Sequence, residues 1–293
     1  MQNLLIVGCG DVARRTLPRL LGHYRVFALL RDPAQCVCWR AMGARPIVAD
    51  LDRPVSLRRI AGLADIVLHF APPSGYGSGD ARMRRFLATL SLAKSLPQRL
   101  VYVSTSGVYG DCAGARIDET CPARPITPRA RRRVDAERQL RRFGRQNKVR
   151  VSILRAPGIY AQDRLPLERL QKGVCALRAE DDVYTNHIHA NDLAMLVCAA
   201  LRYGQANRCY NATDDSEMKM AEYFDLVADR FSLPRVPRIS RGEAQTQMSP
   251  LQLSFMSESR RLDNRRIKNE LRAQLRYPRI EDGVDAAWRE RNP

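Results

Sequence analysis

The chain has 293 residues, with 49 Lys and Arg against 31 Asp and Glu and a formal net charge of +18. That length holds one large α/β unit with a small appendage, or two ordinary domains, and excludes the mini-protein classes that depend on disulfide staples. The positive excess favours anionic partners, but it is almost all arginine, spread from Arg14 to Arg291, and so dispersed a charge reads as solvated faces and argues against specific nucleic-acid binding.

Taken in chain order, NLLIV (3–7), RVFALL (25–30), PIVA (46–49), DIVLHF (65–70), RLVYVS (99–104) and VRVSIL (149–154) are short apolar runs without strict alternation. Strands buried on both faces of a parallel sheet have this pattern. Between them lie helical patterns over 11–22, stopping at Gly22, over 80–96, and over 128–144, ending at Gly144. Strand and helix in alternation predict right-handed crossovers and an α/β fold, a Rossmann-type doubly wound parallel sheet. After about residue 160 the rhythm loosens: helices over 190–204 and 220–231 flank a strand at 208–212, and a Pro/Arg-rich stretch (233–241) leads to a polar tail with a short terminal helix.

No long apolar run suggests a membrane span, and the first strand begins without a basic leader. The eight cysteines show no C-x-x-C spacing and read as free thiols, so a soluble cytoplasmic protein is expected. His69, His187 and His189 stand at strand or helix edges and read as hydrogen-bonded structural residues; no metal constellation is expected.

The stretch LLIVGCGDVARR places Gly8 and Gly10 between the first strand and the first helix, where glycine lets backbone N–H groups approach a pyrophosphate. Ala13 takes the third glycine position, which needs only close helix–strand packing. The second strand ends in FALLRDP, and Arg31 stands where an acidic residue would meet the ribose of NAD. A guanidinium there pairs with a 2′-phosphate, which predicts NADP(H) ahead of NAD(H), while Asp32 before Pro33 reads equally as a turn former and cap. Asp50 and Leu51 end the third strand, expected beside the adenine, and Ala71 and Pro72 end the fourth, expected beside the cofactor ribose.

YVSTSGVYGD (102–111), ILRAPGIYA (153–161), NHIHANDLA (186–194), CYNATD (209–214) and SRRLDNRRIKNEL (259–271) follow the glycine loop in order. Together they resemble the extended, atypical short-chain dehydrogenase/reductases of the NAD-dependent epimerase/dehydratase superfamily, within it the small bacterial YeeZ-like proteins. The resemblance implies an NAD(P)-binding domain over 1–160, with 185–210 returning to it, and a smaller C-terminal substrate domain over 161–184 and 211–293. It adds Asp11, Val12, Ser104 and Pro157 to the cofactor contacts. It also implies Thr105 as a hydroxyl for the substrate oxygen and a homodimer through the helices at 80–94 and 128–146.

The family's Tyr-x-x-x-Lys pair falls on the stretch PITPRARRRVDAE, where Arg129 and Arg133 stand in its place, followed by Glu137. Arginine stays protonated and cannot exchange a proton as a phenol does. Arg133 is left to hydrogen-bond the nicotinamide ribose and Arg129 to orient an anionic substrate, while Thr105, Tyr109, Tyr160 or water supplies the proton. Two readings stay open: an NAD(P)-dependent oxidoreductase or epimerase acting on a carbonyl or sugar-like small molecule, anionic or nucleotide-linked, and a cofactor-binding sensor with little or no turnover.

Overall fold

The structure, a computed structural model, describes residues 1–291; positions 292 and 293, the end of the expected substrate domain, lie outside the described residues. Seven strands form one sheet in the order Arg208–Asn211, Arg150–Ala156, Arg99–Thr105, Ile66–His69, Asn3–Val7, Arg25–Leu30 and Arg45–Val48. Every neighbouring pair is parallel. Chain order reverses between Asn3–Val7 and Ile66–His69, the switch point at which such sheets open a crevice.

Alternate residues of each strand enter different cores. Leu4, Ile6, Val101, Val103 and Leu154 pack with Leu17, Leu193, Leu196 and Val197 on one face. Leu5, Val7, Leu100, Tyr102 and Ile153 pack with Met83, Phe86, Leu140 and Phe143 on the other. Both sides are therefore covered, and the strands carry apolar residues at successive positions.

Helix boundaries depart from expectation for local reasons. The first helix covers Asp11–Thr16 and then tightens into a 3-10 turn at Leu17–Arg19, because Pro18 has no N–H to continue the ladder. The helix expected from 80 covers Ala81–Leu90, with the Asp80 carboxylate accepting from Met83 N at 3.0 Å. The long helix covers Pro128–Asn147, capped by Thr127, and ends at Lys148 with φ of 56°. Gly144 does not stop it; the glycine is needed inside because a Cβ there would lie 2.7 Å from Asn207 Oδ1.

Tyr160, Leu170, Tyr223, Phe224, Val227, Ile280 and Val284 form a separate core in the second lobe. Strand Gly158–Tyr160 leads into it and pairs in parallel with His187–His189. Not all of the C-terminal segment belongs there. Ile267, Leu271 and Ala273 join the core of the main sheet, where they pack in the cluster that holds Tyr210 and Ala212.

Candidate functional site

A cleft of about 1000 Å³ opens at the carboxyl ends of the strands and runs from the glycine loop into the second lobe. Gly8 has φ of +89°, and a Cβ there would lie 2.3 Å from Ala71 N, so the loop can press against the fourth strand's end only without a side chain. A Cβ on Gly10 would meet nothing within 4 Å. The first glycine buys contact between strands and the second leaves backbone open to the cleft, a cradle that fits a dinucleotide pyrophosphate. Gly8, Gly10, Asp11, Val12, Ala71 and Pro72 all line this end.

Arg31, Asp50 and Leu51 line the edge beyond it. Arg31 is exposed at the end of its strand, while the Asp32 carboxylate accepts from Ala34 N at 3.0 Å and caps the turn Pro33–Gln35. Asp32 thus acts on its own backbone. Sequence reasoning missed Arg82, which donates to Asp52 and, at 3.2 Å, to Pro72 O along the same wall.

Thr105, Arg129 and Arg133 share the other end of the cleft with Ser104 and Pro157. Thr105 Oγ1 accepts from Gly107 N at 3.3 Å, which leaves its own proton to donate. Arg133 Nη1 donates to Tyr102 Oη at 2.8 Å and to Val103 O at 3.0 Å, with the guanidinium 5.4 Å from the centre of the Tyr102 ring. Burial pushes the Tyr102 phenol up to about 12, so this partner stays protonated at neutral pH.

Three expected site residues are turned elsewhere. Ser104 Oγ donates to Glu137 Oε1 at 2.7 Å, so its proton is spent in the protein interior although the residue lines the cleft. Tyr109 is 1% exposed and outside the cleft lining; its hydroxyl donates to Asn211 Oδ1 at 2.7 Å, which removes it as a proton relay. Tyr160 lines the cleft, but a Cβ on Gly283 of the terminal helix would lie 2.4 Å from its hydroxyl, so the phenol points into that helix.

Beneath the site runs a buried ionic network that sequence spacing did not reveal. Arg155 grips Glu137 with Nε at 3.2 Å and Nη2 at 2.8 Å, and lies 4.7 Å from the centre of the Tyr109 ring. Asn211 N donates to Glu119 Oε1 at 2.8 Å, and Arg266 Nε lies 3.3 Å from Glu119 Oε2.

The histidines also differ from expectation. Neither ring nitrogen of His69 has a partner, and the ring is wedged between Phe86 and Tyr102. Burial holds His69 and His187 down to about 3 and His189 to about 4, so all three are neutral. Only His189 makes a hydrogen bond of the expected kind, accepting from Asn191 N at 3.2 Å. Among the described residues no group of three His, Cys, Asp or Glu is placed to hold a metal, and no helix is long and apolar enough to cross a membrane.

In the second lobe Arg164, Arg169, Tyr184, His187 and Tyr223 line the cleft. None of the arginines here stands in a motif, and no local signal marked them.

Residues 4–213 match the model of the NAD dependent epimerase/dehydratase family. Human dTDP-D-glucose 4,6-dehydratase is 24% identical over 175 residues, 54% of this chain and 50% of that protein. The chain spans about half the length of the curated relatives it matches. A functionally unknown conserved protein from Silicibacter pomeroyi superposes with a TM-score of 0.84 at 27% identity, over 100% of both chains. UDP-glucose 4-epimerase from Thermotoga maritima, solved with UDP-glucose, gives a TM-score of 0.80 at 17% identity over 99% of this chain and 98% of its own. dTDP-glucose 4,6-dehydratase from Streptomyces venezuelae, solved with NAD bound, gives 0.78 at 20% identity over 99% and 96%. At such identities these last two likenesses show the fold.

Proposed function

Because the chain belongs to the NAD dependent epimerase/dehydratase family, we propose that it is a cytoplasmic oxidoreductase of the epimerase/dehydratase type. It prefers NADP(H) and acts on an anionic carbonyl or sugar-like substrate, nucleotide-linked sugars included. The observation that carries this reading is that one cleft holds the glycine cradle, Arg31, and the trio Thr105, Arg129 and Arg133.

When bound, the nicotinamide supplies hydride donation or acceptance. The chain's own residues do the rest. Thr105, its oxygen held by Gly107 N–H, donates a hydrogen bond to the substrate oxygen, and the proton itself comes from water. Arg129 and Arg133 lie one turn apart on the helix Pro128–Asn147 and face the cleft together. Arg133, fixed by Tyr102 and Val103, is a preset cation that positions without exchanging protons. Arg129, exposed at the cleft edge, draws in a carboxylate or phosphate of the substrate. The second lobe supplies the far wall through Arg164, Arg169, Tyr184 and Tyr223.

A second reading, a sensor of cofactor state without turnover, is favoured by one feature: Arg133 spends donors on the protein, and no phenol stands at position 129. NADPH oxidation with small aldehydes and with nucleotide sugars separates the two. Turnover on a carboxylate- or phosphate-bearing carbonyl compound, and little on neutral ones, supports the enzyme. In R129Y/R133K, oxidation with neutral carbonyl substrates should rise. A wild type that is fast on neutral carbonyls and a slower double variant would show that another group carries the proton.

A further inference from the structure

The glycine loop is followed at once by Asp11, which puts a carboxylate beside the cradle proposed for a doubly charged pyrophosphate. The structure offsets this charge with two arginines of unequal commitment. Arg15 is held three ways, with Nε 2.9 Å from Asp11 Oδ1, Nη1 3.0 Å from Asn191 Oδ1 and Nη2 3.1 Å from Asp163 Oδ1. Its side chain is 24% exposed. Arg164 makes a single longer contact, Nη1 at 3.3 Å from Asp11 Oδ2, with its side chain 39% exposed. Arg164 lines the cleft and Arg15 does not. Arg164 also comes from the turn Gln162–Arg164, just after the strand Gly158–Tyr160 that carries the chain into the second lobe.

We infer that Arg164 is a pyrophosphate-binding residue of this chain, parked on Asp11 and transferred to the dinucleotide when it binds. A single exposed contact between guanidinium and carboxylate contributes little by itself. Two phosphate groups beside the Gly10 backbone offer the same guanidinium more charge and bidentate geometry. Asp11 then has two functions: it keeps the arginine beside the cradle, and it keeps Arg15 engaged with Asp163 once Arg164 has left. The transfer also draws the first turn of the second lobe onto the cofactor, which couples loading of the cofactor to the shape of the substrate pocket.

This inference rests on the cleft being a dinucleotide site, and the experiment separates the two. Isothermal titration of the full chain with NADP⁺ and NAD⁺ identifies the tighter cofactor; its adenosine half without either pyrophosphate phosphate, 2′-AMP or adenosine respectively, is the control probe. Arg164→Gln should weaken the dinucleotide about 10- to 100-fold, the effect of losing hydrogen bonds to a charged group, and weaken the control less than threefold. Asp11→Asn should tighten the dinucleotide several-fold by removing the competing carboxylate. Equal weakening of dinucleotide and control by Arg164→Gln, no weakening of either, or a looser Asp11→Asn complex would overturn the assignment of Arg164. A wild-type chain that binds neither dinucleotide would overturn the site itself, and the inference with it.

Discussion

Each end of the cleft presents an arginine, and the two are built differently. Arg31, at the end proposed for the adenosine, is exposed at the tip of its strand. Arg133, at the chemical end, is half-buried, bonded to Tyr102 and Val103, and stands one turn from Glu137, which Arg155 holds in the interior. The same guanidinium therefore does two jobs. Left in solvent, it waits for a charged ligand; tethered above an ionic layer, it becomes part of the frame that positions other groups.

The sharpest way to break this contrast is to remove the ionic layer. Glu137 is 1% exposed and Arg155 4%, so Glu137→Ala leaves a buried cation without its partner. Its unfolding free energy, from urea titration, should fall by about 3–5 kcal/mol, while Arg31→Ala should stay within about 0.5 kcal/mol of wild type. A loss below about 1 kcal/mol for Glu137→Ala would mean that the chemical end is no more built-in than the other.

Binding tests the opposite end. Arg31→Ala should cost NADPH about 1–3 kcal/mol of affinity and leave NADH unchanged. Fluorescence titration measures both, and equal losses would sink the 2′-phosphate role.

Acid sensitivity sharpens the comparison further. Burial, aided by the charge of Arg133, holds the His69 ring down to about 3 in the folded chain, against an ordinary 6.5. The unfolded chain takes up that proton once the pH drops below 6.5, and the native chain does not, so stability contributed by a neutral His69 is present above 6.5 and lost as the pH falls toward 3. His69→Leu, which keeps the ring's apolar neighbours Phe86 and Tyr102 packed, should match wild type at pH 7. At pH 5 it should gain about 2 kcal/mol over wild type, at about 1.4 kcal/mol per pH unit. Melting curves at the two pH values decide it; the same difference at both would show that His69 does not titrate on unfolding.

The smallest effect concerns assembly. Arg131, Arg138, Arg142 and Arg145 are exposed on the helix Pro128–Asn147, so a homodimer of the kind the family resemblance implies would bring like charges together. Sedimentation should show association strengthening from low to physiological salt as this repulsion is screened; dimerisation that weakens with salt would point to a different face.

The fold was legible because its signals are local. Leu4 to Val7, Val26 to Leu30 and Val101 to Val103 are apolar at successive positions, and Gly8 and Gly10 mark the turn into the first helix, where Gly8 has φ of +89°. The chemical end was less legible because its partners are distant in sequence: Ser104 with Glu137, Tyr109 with Asn211, and Glu119 with Arg266 meet only in the folded chain. Tyr102 looked like one more apolar strand residue, yet its hydroxyl anchors Arg133. Tyr109 sat in a motif beside the site, but the 3-10 turn Ser106–Tyr109 carries its ring into the interior. His69 and His187 looked like satisfied structural residues because nothing in the sequence shows that a ring is walled in by aromatic neighbours.

The link from Glu119 to Arg266 also sets an order of assembly during synthesis. All seven strands have been synthesised by residue 211, but Ile267 and Leu271, which complete the core around Tyr210, and Arg266, which neutralises Glu119, have not. Until they emerge, Glu119 lacks its cation and the nascent sheet has an uncovered apolar edge around Tyr210. The main sheet, although first in the chain, is thus finished by residues near the end.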